Sequence, residues 1–334
     1  MFTPAELLEI KKLLIPENKI VILTHYNPDG DAIGSSLGLK HYLRAKGLEA
    51  DVVTPNDFPK FLKWMPEAKK NIIGEYKRKV AFDMINDADV IFCLDFNSPA
   101  RIGILGDWLM KAKAKKILID HHQQPEDFDF VYSDTIIPAT CQMIYHFIEA
   151  MDDENLVNKE IAECLYTGIM TDTGGFRFRS TSATTHRIVA NLIEKGADPS
   201  VITSNTWDTN TVSRLHLLAL VLGRIEVVND GKVAVLSLTR KELQEYGFQK
   251  GDTEGFVNYG LSVVGVRMSA FFLEDLYEDF IKISFRSKDD VDVNQFSRKY
   301  FSGGGHINAA GGKSMESLAD TIETFKTRLI EEKF

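Results

Sequence analysis

The 334-residue chain has only three cysteines, Cys93, Cys141 and Cys164, widely separated, each in apolar sequence and none in a CxxC pair. Such spacing argues against a disulfide framework and a paired-thiol metal site, and predicts buried free thiols in a reducing compartment. No apolar run approaches the roughly 18 residues of a membrane span. The opening MFTPAELLEIKKLL reads as an amphipathic helix with acidic residues rather than a signal peptide, so the expectation is a cytoplasmic protein without a membrane partner. Basic residues are in deficit, 39 against 48 acidic, giving a net charge of −9. There is then no general basic field to draw in long nucleic acid, while a short anionic substrate met by local cations or metals stays open. No GxGxxG follows the first strand and no GxxxxGK[ST] loop occurs, so neither dinucleotide nor P-loop chemistry is signalled. Low-complexity tracts and internal repeats are also missing.

What is present is organised around VILTHYNPDGDAIGSSLG, Val21 to Gly38. A short apolar strand runs into a polar break holding His25, Asp29 and Asp31, and small residues then open a helix. Pro28 and Gly30 allow a tight bend in which the two carboxylates converge. Imidazole with carboxylate oxygens suits manganese or zinc. Taken alone, the same residues are equally a solvated turn.

Three more stretches share this form. Asp89 to Asp95, DVIFCLD, is a buried-type strand ending in a carboxylate. Lys116 to Asp120, KILID, runs directly into His121 and His122, and a carboxylate beside an imidazole is a common device for fixing its tautomer. YTGIMTDTGGFRFR, Tyr166 to Arg179, reads as a helix stopped by glycines with Asp172 at its end. The β-α-β rhythm of the first half predicts an α/β fold with a mainly parallel sheet flanked by helices. Phe58, Phe61, Trp64 and Met65, within Pro55 to Lys79, lie among lysines; a lid, a peripheral pair of helices or base stacking are open to them, but the expectation is packing beneath a loop.

A polar stretch places a linker at residues 201–212 between a first domain, 1–200, and a smaller α/β domain, 213–334. In the second, Asn229-Asp230-Gly231 signals a hairpin between Arg224–Val228 and Lys232–Leu238. Strands follow near 263–272 and 281–286, then the glycine-rich FSGGGHINAAGG, Phe301 to Gly312, and a closing amphipathic helix ending near Lys333. Consecutive glycines let backbone N–H groups approach a phosphate, and Arg286 can grip one bidentately.

Five carboxylates gathered at one sheet end, Asp29, Asp31, Asp95, Asp120 and Asp172, would repel unless cations neutralised them. Two divalent metals satisfy that requirement and favour hydrolysis of a phosphoester or phosphoanhydride.

HYNPDGDAIGSSLG, FCLD, DHH and TDTGG, in this order, closely resemble the four motifs of the DHH phosphoesterases, and GGGHINAAGG with the preceding FRS resembles the signature of the DHHA1 domain. Length and layout are similar to the compact bacterial oligoribonucleases that also remove the 3′-phosphate of pAp (3′-phosphoadenosine 5′-phosphate). The resemblance implies His25, Asp29 and Asp95 on one manganese and Asp31, Asp95, His121 and Asp172 on a second, with Mg2+ or another divalent ion as the substitute. It further implies that Asp120 orients His121, and that His122 meets the scissile phosphate. Arg286, Ser287, Gly303, Gly304, Gly305 and His306 would then bind substrate across a cleft between the domains. The implied substrates are oligoribonucleotides of about two to five residues, and pAp. A cyclic- or linear-dinucleotide phosphodiesterase is the alternative; GGGHINAAGG argues against a manganese pyrophosphatase, and the filled metal positions argue against a regulator with a degenerate site. A homodimer is compatible with the sequence but not required by it.

Overall fold

The computed structural model describes residues 1–332, in two compact units, Met1–Thr209 and a second that begins at Asn210. The first unit begins with α1 (Pro4–Leu13), β1 (Ile20–Thr24), α2 (Gly30–Ala45), β2 (Ala50–Thr54), β3 (Ile72–Ile73) and α3 (Arg78–Asn86). It continues through β4 (Val90–Leu94), α4 (Ile104–Lys111), β5 (Lys115–Asp120) and β6 (Phe130–Ser133). Four helices complete it: α5 (Thr140–Ala150), α6 (Lys159–Asp172), α7 (Ala183–Glu194) and α8 (Pro199–Thr206).

Its six strands form one all-parallel sheet in the order β3-β2-β1-β4-β5-β6. The central strands IVILT and VIFCL are buried throughout, as strands covered on both faces must be. Alternate residues serve two cores. Ile22, Phe92, Ile117 and Ile119 pack with Leu37 of α2, Phe147 of α5 and Leu165 of α6, while Val21, Leu23, Ile91 and Leu118 meet Ile85 of α3 and Leu105 of α4. Each such fully buried aliphatic contributes about 1.5–3 kcal/mol. The strand order reverses between β1 and β4, which opens a crevice at their carboxyl ends. Thr24 pairs with Leu94, and Leu94 with Ile119, so the next residues of all three strands, His25, Asp95 and Asp120, emerge level with one another.

The 55–79 segment packs beneath a loop, as expected, and forms neither a lid nor a helix pair. It makes two short 3₁₀ turns, Lys60–Leu62 and Ala68–Lys70, and buries Phe58, Leu62 and Met65 in the α2-side core with Phe61 and Trp64 packed against them. The 201–212 stretch is also partly ordered as helix, since α8 extends to Thr206 and the break between units falls after Thr209.

The second unit contains α9 (Val212–Gly223), β7 (Glu226–Val228), β8 (Val233–Leu238), α10 (Arg240–Glu245), α11 (Phe256–Gly260), β9 (Met268–Glu274) and β10 (Ile281–Ser287). It ends with α12 (Val293–Tyr300), β11 (Gly304–His306), β12 (Ala309–Ser314) and α13 (Leu318–Glu331); the expected helix end at Lys333 lies outside the described residues. The sheet is mixed, ordered β11-β12-β10-β9-β8-β7, with only β8 and β9 parallel. Phe285, Ala310 and Phe272 on one face pack with Phe296 and Phe301 at α12 and Phe325 of α13. On the other face Leu236 and Phe271 meet Leu217 of α9 and Phe256 of α11. The glycine-rich run is therefore a hairpin. A Cβ on Gly303 would lie 1.9 Å from the Gly311 carbonyl oxygen, so close strand approach is what demands glycine there. Among the described residues no helix is long and apolar enough to cross a membrane.

Candidate active site

The first histidine leaves β1 into a pinned turn. Tyr26 N–H donates to Arg101 O at 2.8 Å, and Asn27, at φ 57°, exchanges two hydrogen bonds with Asn56 at 2.7 and 2.8 Å. Asparagine tolerates that left-handed backbone. Asp29 then caps α2, its Oδ1 accepting from the N–H groups of Asp31 and Ala32 at 3.1 Å each.

Asp95 follows β4 at φ 64°, a strained conformation for a buried side chain and the kind that collects at functional sites. Its N–H donates to Ile119 O and its Oδ1 accepts from Thr140 Oγ1 at 3.0 Å. One oxygen faces each histidine: Oδ2 is 3.4 Å from His25 Nε2, and Oδ1 is 3.4 Å from His121 Nε2.

Both histidines are oriented alike. His25 Nδ1 lies 2.9 Å from Tyr26 O and His121 Nδ1 lies 3.2 Å from Ile137 O, and because a carbonyl only accepts, each Nδ1 carries the proton. The opposite nitrogen of each ring is thereby turned toward carboxylates. His25 Nε2 sees Asp29 at 3.8 Å as well as Asp95, and His121 Nε2 sees Asp172 at 3.3 Å and Asp31 at 3.8 Å as well as Asp95. A neutral imidazole would here point a lone pair at anionic oxygens. The cluster is therefore stable only with imidazolium rings or with cations between the ligands. Burial opposes the imidazolium form, yet the carboxylates outweigh it, raising His25 to about 10 and His121 well above its ordinary value.

Asp31 and Asp172 reach the cluster from helices. Asp31, in the first turn of α2, is fully buried, and its two oxygens accept from the first amides of α5, Thr140 N at 2.5 Å and Cys141 N at 2.8 Å. Burial and the charge of Asp95 raise it to about 7 despite this. Asp172 ends α6, and burial followed by the charge of Asp31 pushes it well up. The helices α2 and α6 approach closely enough because Gly34 and Gly168 lie between them: a Cβ on Gly34 would be 2.6 Å from Cys164 O of α6, and one on Gly168 would be 3.0 Å from Asp31 Cα of α2 and 2.2 Å from Cys141 Sγ of α5.

The structure corrects one pairing. Asp120 orients His122, not His121: Asp120 Oδ1 is 2.7 Å from His122 Nδ1. Alternation along extended chain puts residues two apart on one side, so Asp120 and His122 face each other while His121 turns toward the other carboxylates. Burial raises Asp120 to about 6 and holds His122 well below its usual value, with Arg101 adding to the second effect. With Nδ1 facing Asp120 Oδ1, the geometry suits a carboxylate accepting the Nδ1 proton of the imidazole. Asp120 Oδ2 is buried with no hydrogen-bond partner among the described residues.

In the second unit Arg286 and His306 share a cross-strand row, both level with Ala309, and so project from the same face of the sheet. Ser287 points the other way. Its Oγ donates to Val291 O at 2.6 Å and accepts from Asn308 Nδ2 at 2.9 Å, which fixes a loop rather than presenting a ligand group. The N–H groups of Gly303 and Gly305 are likewise engaged, with Ser297 O and Asn294 Oδ1.

Sequence reasoning did not single out Thr140, Cys141 and Arg101. Thr140 and Cys141 bind Asp31 through backbone amides, which leave no trace in residue type, although Thr140 also donates its hydroxyl to Asp95 and a threonine opening an apolar helix is a visible start signal.

Comparison with known proteins adds the following. Residues 19–169 match the model of the DHH family, N-terminal domain, and residues 230–332 match that of the DHHA1 domain. The chain is 33% identical to a bifunctional oligoribonuclease and PAP phosphatase NrnA of Thermus thermophilus, over 88% of this chain and 84% of that protein. It is 26% identical to a cyclic-di-AMP phosphodiesterase PdeA of Listeria monocytogenes, over 90% of this chain but 45% of that protein. The crystal structure of an exopolyphosphatase-related protein from Bacteroides fragilis is similar with a TM-score of 0.94 and 40% identity, over 99% of this chain and 97% of that one.

Proposed function

Because the chain belongs to the DHH family of phosphoesterases and carries a DHHA1 domain after the DHH domain, we propose that it hydrolyses short oligoribonucleotides, of about two to five residues, to 5′-mononucleotides and removes the 3′-phosphate from pAp. The observation that carries this reading is the pair of imidazoles that commit Nδ1 to carbonyls and turn Nε2 onto acids. Ligand atoms bound at about 2.1 Å to one ion stand about 3–4 Å apart, and the Nε2–carboxylate separations of 3.3–3.8 Å fit that spacing. His25, Asp29 and Asp95 would hold one divalent ion and Asp31, Asp95, His121 and Asp172 a second, with Asp95 shared. Nitrogen with hard oxygen donors suits manganese or zinc, and the ion inferred here is manganese, with magnesium or another divalent ion as substitute.

Ions bound there supply Lewis acidity and a lowered water pKa. The protein's own part is to hold the acids in place and to move a proton. His122, kept neutral and oriented by Asp120, accepts at Nε2 the proton released as water attacks phosphorus and returns it to the leaving ribose oxygen. Arg286 and His306 bind the part of the nucleotide that is not cleaved, and the absence of a long basic track keeps substrates short. The three buried free thiols suit a cytoplasmic setting.

The test supplies the purified protein and manganese with pAp, pApA, a cyclic dinucleotide, pyrophosphate and a twenty-mer side by side. Turnover of pAp and pApA well above the others is expected. Preference for the cyclic dinucleotide would assign the protein the phosphodiesterase role instead, and equal turnover of dimer and twenty-mer would remove the length limit.

A further inference from the structure

The second core of the second unit takes residues from β8 and β9 but none from β10, β12 or β11. On that face these three strands present two cross-strand rows, Arg286–Ala309–His306 and Ser284–Gly311–Gly304. The result is a nearly bare floor of alanine and glycine with a cation and an imidazole at its sides.

A further arginine reaches this floor around the sheet edge. β11 is the edge strand, and its outward Gly305 N–H donates to Asn294 Oδ1 at 2.9 Å. The same oxygen accepts from Arg298 Nε at 3.0 Å. Asn294 is 5% exposed and sits in α12, so the acceptor is rigidly held. A Cβ on Gly304 would touch the Arg298 guanidinium at 3.5 Å, which places that group against the glycine backbone at the end of the floor. Its Nε is committed, while Nη1 and Nη2 have no partner among the described residues. A guanidinium held by one nitrogen, with its terminal pair unclaimed, is prepared for bidentate contact with a phosphate.

The geometry points to Arg298 as a specificity residue that binds the 5′-phosphate of the nucleotide on this floor, the phosphate that is not hydrolysed. The inference rests on the nucleotide reading above. It goes further in requiring the enzyme to distinguish 5′-phosphorylated substrates from those with a 5′-hydroxyl, as would suit fragments already cut by a nuclease that leaves 5′-phosphates.

Arg298→Ala and Arg298→Lys in the full chain, compared on pApA and ApA, test it. For Arg298→Ala, kcat/KM on pApA should fall about tenfold, the low end for a charge-assisted contact at an exposed group. The loss should lie in KM, with ApA unchanged within about twofold and Arg298→Lys intermediate. Calorimetric binding of AMP and adenosine, which needs no turnover, should show the same contrast, AMP weakened about tenfold and adenosine unaffected. Equal losses on both members of either pair, or no loss for AMP, would overturn the role of Arg298. A wild-type protein that turns over neither dinucleotide would instead overturn the functional reading, and AMP binding would still decide the role of Arg298.

Discussion

Replacing Gly168 with alanine tests how the site is assembled, because one methyl group meets both the packing and the chemistry. The added Cβ would stand 2.2 Å from Cys141 Sγ and 2.8 Å from Asp31 Oδ1. Relief requires movement of more than about 1 Å in a close-packed interior, at a cost of about 3 kcal/mol, the upper end for overpacking. Higher helix propensity returns about 1 kcal/mol, so Gly168→Ala should destabilise the first unit by about 2 kcal/mol. Cys141→Ala alone, which removes one buried sulfur, should cost about 1 kcal/mol. In the double variant the sulfur collision is gone, and the loss should be about 1 kcal/mol rather than the additive 3, a coupling of about 2 kcal/mol. Activity should behave differently: the methyl still presses on Asp31, so turnover should remain at least about tenfold down in the double variant. Urea unfolding gives the stabilities, and initial rates on pApA give the turnover. A double variant with wild-type turnover would refute the claim that α2–α6 packing sets the position of Asp31, and a single variant of undiminished stability would refute the packing itself.

Further outcomes follow from the same geometry. His122→Ala should lower turnover by about 10²–10⁴-fold with metal binding retained, as calorimetry would show, and Asp120→Asn should reproduce part of the loss through misorientation of His122. Stripping both metals with a chelator should lower the melting temperature of the first unit by about 10–20 °C relative to protein with each ion at 100-fold excess over its dissociation constant. That difference should widen from pH 5.5 to 8. Burial first, then Asp95, raises Asp31 to about 7, so the metal-free fold binds this proton more tightly than the unfolded chain and loses stability as pH rises through that range, whereas metal requires the carboxylate. In the second unit the guanidinium of Arg224 holds Glu242 down to about 2. Glu242→Gln should therefore cost about 1 kcal/mol at pH 7, the partner being partly exposed. The difference from wild type, complete above about pH 4.5, should vanish as pH falls through about 2.

The positions of His25, Asp95, Asp120 and His121 were readable because apolar runs of strand length end just before them, and a parallel register sets such ends level. Asp172 was harder to place from first principles. Its arrival depends on the glycine contacts between α2 and α6, a three-dimensional fit that the small residues after Asp31 only hint at. The pairing of Asp120 with His121, which the family resemblance implies, gives way to His122 because strand alternation brings Asp120 to the residue two along. Glycine's poor strand propensity hides β11 and β12 in the sequence, and tertiary pairing with β10 overrides it. Ser287 and Arg286, neighbours in the motif, face opposite sides of the sheet for the same alternating reason. Phe58, Leu62 and Met65 show how an aromatic segment between lysines can simply roof a core.

The central claim, that the acids and imidazoles at the ends of β1, β4, β5 and α6 coexist by sharing two divalent ions, is tested most directly by titrating metal-stripped protein with manganese in a calorimeter, wild type beside Asp95→Asn. Two equivalents per chain are expected for the wild type, and Asp95→Asn, which weakens the carboxylate facing both histidines, should reduce the affinity of both. A wild-type chain that takes up no manganese, or an Asp95→Asn chain that binds two equivalents as tightly as the wild type, would contradict the account.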